Sequence, residues 1–215
     1  MVPVHPALTF RAACAALALA SAPALAEGRA GDFDFYILSL SWLPGYCSVE
    51  NDPDPRQCEH EAQGFVVHGL WPQYESGYPE FCPSSMPRWL SDETVEMIRD
   101  VMPSAGAARY QWRKHGMCSG LDEFDYFSLL VDAADKIYLP DSLRYGGVEL
   151  SPRAVEAAFA EGNPGLDADG MSVQCREGAF TEIRICLTKD LEFRSCDEVN
   201  ADACRASSIS VLPAN

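Results

Sequence analysis

"GFVVHGLWP", residues Gly64 to Pro72, reads as a β-strand with one polar residue in its middle. Phe65, Val66, Val67, Leu70 and Trp71 supply the β-branched and aromatic side chains of a pleated, buried strand. Pro72 has no N–H to continue a ladder and stops it. His68, beside Gly69, interrupts the apolar run. An imidazole among strand apolars is either hydrogen-bonded to a buried partner or turned into a cleft. The stretch therefore predicts a sheet and, at the same place, a candidate site.

The neighbouring segments fill in the architecture. "FDFYILSLSWLPGYC" (33–47) is also β-rich, with Phe33, Phe35 and Ile37 alternating against Asp34, Tyr36 and Leu38. Both faces are fairly apolar, as in a central strand, and Pro44-Gly45 ends it. "NDPDPRQCEHEAQ" (51–63) and "YESGYPEFCPSSMP" (74–87) have loop composition.

Three segments read as helices. In "LSDETVEMIRDVMP" (90–103), Ser91 caps and Asp92 and Glu93 complement the helix dipole. In "FDYFSLLVDAADKIYLP" (124–140), the apolar stripe falls on Phe124, Phe127, Val131, Ala134 and Ile137. In "LSPRAVEAAFAEG" (150–162), Ser151 caps, Pro152 opens and Gly162 stops the helix. "FTEIRICLT" (180–188) and "LEFRSC" (191–196) read as strands paired across Lys189-Asp190. Strands and helices mix without a βαβ rhythm. The expected fold is a single α+β domain, a central antiparallel sheet flanked by helices.

The chain opens differently. Arg11 precedes "AACAALALASAPALA" (12–26), a charge-free run ending in the small-x-small pattern Ala24-Leu25-Ala26. It is shorter than the about 20 apolar residues a membrane span needs. Residues 1–26 read as a secretory signal peptide, leaving 27–215 as one domain. Cys14 falls in the leader. Cys47, Cys58, Cys82, Cys118, Cys175, Cys186, Cys196 and Cys204 remain, an even set that in an exported chain reads as a disulfide framework. Spacing does not choose among their 105 pairings. The formal net charge of -16 argues against a broad nucleic-acid-coating surface but not against a small cationic site.

"RYQWRKHGMC" (109–118) is such a site in an acidic chain. As a helix it puts Gln111, Lys114, His115 and Cys118 on one face and Arg109 and Arg113 on another. Trp112 and Cys118 anchor it, and crowded cations repel unless an anion relieves them. His60, in "CEHEA", reads as a solvated loop residue. His68 and His115 with Lys114 form the set that RNA cleavage without metal requires. One imidazole takes the 2′-hydroxyl proton, the other protonates the leaving 5′-oxygen, and the ammonium stabilises charge on the phosphorus oxygens. Such chemistry needs the 2′-hydroxyl and spares DNA.

"FVVHGLWPQ" (65–73) and "QWRKHGMCSG" (111–120) resemble the two active-site segments of the ribonuclease T2 family, secreted endoribonucleases. "DFYILSLSWLPGYC" (34–47) resembles its first strand and "GAFTEIRICLTKDLEFRSC" (178–196) its C-terminal hairpin. The resemblance implies His68 as general acid, His115 as general base and Lys114 as transition-state stabiliser. It further implies a 2′,3′-cyclic phosphate intermediate, 3′-phosphate ends and no cofactor or metal. Trp71 resembles the residue on which a base stacks, with Tyr78 as a second ring, which fits low base specificity. The implied partner is single-stranded RNA, met by a monomer in the periplasm or outside the cell without stable membrane association. The implied disulfides are Cys47–Cys58, Cys82–Cys118, Cys175–Cys204 and Cys186–Cys196.

The family's second segment usually reads H-E-W-x-K-H-G-T-C. Here Tyr110 stands in place of a phosphate-contacting histidine, and Gln111 in place of a glutamate that helps stabilise the transition state. Both offer hydrogen-bond donors in its stead. The two departures keep open a catalytically weak secreted relative that binds RNA or a protein. A zinc site from His68, His115 and Cys118 is the third alternative, without H-E-x-x-H or paired C-x-x-C spacing behind it.

Overall fold

Every residue of β1 (Phe35–Trp42) is buried, because strands cover both of its edges and different cores cover its two faces. The computed structural model describes Met1 and residues 28–51, 55–58 and 64–214. The leader reading and His60 lie outside the described residues. β2 (Phe65–Gln73) pairs antiparallel with one edge of β1, and β5 (Ala179–Leu187) with the other. The sheet runs β2-β1-β5-β6-β3, with β4 (Met171–Arg176) also on β5. β3 (Val148–Leu150) and β6 (Ile209–Val211) complete it. All pairings are antiparallel except one parallel bridge, Ala179 to Ser210, between β5 and β6.

Alternation along β1 divides the molecule. Tyr36, Leu38, Leu40 and Trp42 enter the main core with residues of the flanking helices. Phe35 and Ile37 join a smaller cluster with Cys186, Cys196 and Val199, against which Trp71 packs. Ser39 and Ser41, also buried, make the remainder of that second face low.

α1 (Leu43–Val49) follows β1 directly, so the strand ends at Trp42 and Pro44 sits in the first helical turn, where its missing N–H costs nothing. α2 (Pro55–Cys58) is a single turn within the expected loop. α3 (Asp92–Met97) and α6 (Pro152–Gly162) start at Ser91 and Ser151, whose hydroxyls accept from Thr94 N and Ala154 N. α5 (Glu123–Asp135) buries Tyr126, Phe127, Leu130 and Ala133, while Phe124 is exposed. The stripe is rotated from the expected one because Tyr126 turns inward and donates its hydroxyl to Leu70 O at 2.6 Å. α7 (Asp197–Ala201) lies over the small cluster through Val199.

The expected hairpin across Lys189-Asp190 does not form as two strands. "LEFRSC" meets the end of β5 through an isolated bridge, Leu187 to Phe193, a hydrogen bond from Arg194 N to Cys186 O and the Cys186–Cys196 disulfide. β1 and β4 already occupy the two edges of β5, and the β4–β5 turn runs through Glu177 and Gly178. Disulfides join Cys47 to Cys58, Cys82 to Cys118, Cys175 to Cys204 and Cys186 to Cys196.

Candidate active site

The site is assembled by a defect in one strand and the end of one helix. β2 pairs Val67 with Leu40 and Gly69 with Ser39, so His68 is an extra residue without a partner on β1. This is a β-bulge, which re-aims a side chain and bends the strand. His68 leans over the serine face of β1, and its Nδ1 meets Glu182 Oε2 on β5 at 2.7 Å. Glu182 Oε1 accepts from Arg184 Nε, also at 2.7 Å.

The second histidine comes from α4 (Ala105–Lys114), which starts at Ser104, whose hydroxyl accepts from Ala107 N. Trp112 is buried and donates Nε1 to Pro87 O at 2.8 Å, fixing the helix's rotation. The helix stops at Lys114, and His115 is its cap, with its N–H on Gln111 O. Gly116–Ser119 continues as a 3₁₀ turn whose Cys118 is bonded to Cys82. Cys118 therefore does not share an α-helical face with Gln111 as the sequence spacing predicts. Phe81 N donates to Lys114 O at 2.8 Å, a second tie between this turn and the loop after β2.

Trp71 lies between the two histidines. Its ring centroid is 5.2 Å from His68, edge-on, and 5.1 Å from His115, stacked at 29°. Its Nε1 donates to Gln111 Oε1 at 2.8 Å, which leaves the amide NH₂ as Gln111's remaining polar group. Gly69 permits this bond: a Cβ there would lie 2.3 Å from Trp71 Nε1 and 2.9 Å from Gln111 Oε1. The Arg184 guanidinium sits 5.4 Å from the Trp71 ring.

His68, Trp71, Tyr78, Tyr110, Gln111, Lys114 and His115 all line one open cleft of about 370 Å³. Every residue singled out for the chemistry thus comes to one place. Tyr78 and Tyr110 are about half exposed, the Tyr78 ring 6.2 Å from His115. Tyr110 also borders a second cavity on the far side of His68. Lys114 Nζ is 3.4 Å from Glu80 Oε2.

The electrostatics act on His115 and on Glu182. Burial, then the charges of Lys114 and His68, push His115 down to about 3. Its Nδ1 is buried without a hydrogen-bond partner among the described residues. Burial pushes the Glu182 carboxyl up, but the His68 hydrogen bond and charge, with Arg184, outweigh it and hold it at about 2. His115 is thus a neutral imidazole over most of the pH range, and Glu182 an anion.

Sequence reasoning missed Glu182, Arg184 and Glu80, and the Glu198 and Asp202 that line the far wall. One signal was available. Glu182 and Arg184 alternate with Ile183 and Ile185 in a strand, which places two charges on one face of a sheet. Among the described residues no group of three or more His, Cys, Asp or Glu side chains is arranged to hold a metal ion. The disulfide removes Cys118 as a thiolate ligand.

Known proteins are similar to this chain in sequence and in fold. A ribonuclease from Aeromonas hydrophila is 34% identical over 171 residues, covering 77% of this chain and 76% of that protein. Ribonuclease I of Escherichia coli (strain K12) is 29% identical over 221 residues, covering 80% and 81%. The fold is similar to that of an RNase-related protein from Calystegia sepium, with a TM-score of 0.65 at 21% identity, covering 86% of this chain and 99% of that one. The model of the ribonuclease T2 family matches residues 33–196, a span that holds β1, both histidines and the buried Glu182. The chain belongs to the ribonuclease T2 family.

Proposed function

We propose that the cleft cleaves single-stranded RNA, with His115 as general base, His68 as general acid and Lys114 as the stabiliser of the pentacovalent phosphorus. One observation carries the assignment: two histidines flank Trp71 in a single cleft, in environments that differ in sign. His115, buried beside a cation, is neutral and can take the 2′-hydroxyl proton. His68, bonded to an anion, is the one suited to carry a proton to the leaving 5′-oxygen. As the P–O2′ bond forms and the P–O5′ bond breaks, the product is a 2′,3′-cyclic phosphate. In its slower hydrolysis to a 3′-phosphate the histidines exchange roles. Lys114 faces the charge that grows on the non-bridging oxygens, and the Gln111 NH₂ adds a donor. Trp71, Tyr78 and Tyr110 supply ring surfaces that take any base.

The same proposal places residues 1–26 as a removed leader and the remainder, a monomer, in the periplasm or outside the cell. Four disulfides support this, since such bonds persist in oxidising compartments. No helix among the described residues is long and apolar enough to cross a membrane.

The test is product analysis on RNA dinucleoside monophosphates in the presence of a chelator. A cyclic phosphate is expected from the wild type, with losses on the order of 10²–10⁴-fold for His68→Ala and for His115→Ala. Equal, negligible turnover in all three would leave the weak-binder alternative, which Tyr110, Gln111 and the Lys114–Glu80 pair favour.

A further inference from the structure

We propose that Glu182 is the positioning residue for His68: it holds the proton on Nδ1, aims Nε2 into the cleft and sustains the imidazolium that protonates the leaving oxygen. The proposal rests on the general-acid reading of His68 given above.

Glu182 does not belong to either active-site segment. It lies 114 residues from His68 in sequence and two strands away in the sheet. Three features make the contact across β1. The bulge lifts His68 out of register. Ser39 lies opposite Gly69 on one side and Arg184 on the other, and Ser41 lies opposite Val66 and Glu182. The strand to be crossed thus carries two of its smallest side chains where the imidazole passes. Finally, Arg184 takes the other carboxylate oxygen, so each oxygen of Glu182 has one partner and a fixed direction.

A carboxylate with only about a tenth of its side chain exposed is costly to place unless its charge is used. The His68 hydrogen bond and charge, with Arg184 behind them, keep it an anion, so it accepts the His68 N–H without taking the proton. In the cleavage step the Nε2 proton of His68 passes to the 5′-oxygen as the P–O5′ bond breaks. The Nδ1 proton stays on the ring, and Glu182 stays ionised.

The other charged and titratable groups around His68 are Lys114 and His115 from α4 and its cap, Glu198 and Asp202 on the α7 side, and the phenols Tyr78 and Tyr110. Tyr46 of α1 borders the second cavity with His68. Glu182 is the group hydrogen-bonded to the ring.

The experiment compares two substrates of the full mature chain. One is a dinucleoside monophosphate, whose poor leaving group needs a proton. The other is a uridine 3′-(4-nitrophenyl phosphate), whose leaving group does not. Glu182→Gln keeps the size and an acceptor oxygen but loses the charge. It is expected to lower kcat on the dinucleotide by on the order of 10–100-fold, within the general-acid contribution, with KM little changed. The basic limb of its pH profile should move to lower pH, and the activated ester should be cut nearly as fast as by the wild type. Glu182→Asp should partly restore the dinucleotide rate. Equal losses on both substrates, or an unmoved basic limb, would overturn the proposal and leave Glu182 a structural ion pair.

His68→Ala on the same two substrates separates the two levels. If it too loses equally on both, the general-acid reading fails. If it loses only on the dinucleotide while Glu182→Gln loses on neither, that reading stands and the role of Glu182 fails. Should Glu182→Gln not fold, nitrogen NMR of the wild-type ring decides. The neutral His68 is expected as the Nδ1–H tautomer, and an Nε2–H majority would overturn the proposal.

Discussion

His115 stacks on Trp71 with ring centroids 5.1 Å apart and planes 29° apart. One face of the indole is thus committed to His115. Burial, then the charges of Lys114 and His68, keep His115 neutral down to about pH 3. The acidic limb of kcat/KM for RNA cyclisation is therefore expected well below the ordinary histidine value of about 6.5. A profile measured on a dinucleotide checks this, and an acidic limb near 6.5 would contradict it.

The same group makes stability depend on pH. His115 has a folded pKa below its unfolded one, so the unfolded chain binds more protons between about 3 and 6.5. Its contribution is complete above 6.5 and is lost as pH falls towards 3. Glu182 acts in the same direction from 4.5 down to about 2. Denaturant titrations across this range are expected to show stability falling with acidity, and His115→Gln should flatten the part between 6.5 and 3.

Gln111→Glu restores the family's usual carboxylate. The new side chain can still accept from Trp71 Nε1, so the stack should be kept. The added negative charge favours imidazolium nearby. The basic limb of the cyclisation profile is expected to move to higher pH. An unchanged profile would show that position 111 is not coupled to the histidines.

Gly69→Ala tests the packing beneath the site. The added methyl collides with both partners of the Trp71–Gln111 bond. Losing that bond with its groups left buried costs about 1–3 kcal/mol. Activity should fall roughly tenfold or more while the far-UV circular dichroism of the sheet is retained. Wild-type activity would mean that the indole position is not required.

Removing the Cys82–Cys118 bridge as a Cys82→Ser, Cys118→Ser pair should cost about 2–4 kcal/mol. It should also lower activity in the folded protein, because the bridge and the Phe81 N to Lys114 O bond hold the turn that carries Lys114 and His115. Loss of stability with unchanged kcat would confine the bridge to a structural role. The melting temperature and kcat of the same sample decide.

Much of this was legible from local pattern. Strand and cap chemistry act over a few residues, so Ser91 and Ser151 fall where their hydroxyls predict. The cleft residues were legible because their types fit one reaction. What escaped depends on distant partners. Whether "LEFRSC" pairs with β5 is decided by β1 and β4 taking both edges of β5 first. The α5 stripe turned because a buried tyrosine found the Leu70 carbonyl. Glu182 lay outside both motifs, and nothing near it in sequence marks the histidine it meets across the sheet.

The bulge at His68 leaves that residue outside the pairing of its own strand. β2 and β1 run in register on both sides of that residue, from Phe65–Val67 and again from Gly69 to Gln73. His68 is the one residue of β2 that the ladder does not count. A chain that lost it by a single-codon deletion would close the gap into a regular strand. The pairing that builds the sheet and the side chain proposed for the chemistry are therefore separable in this strand, and removing the one need not disturb the other.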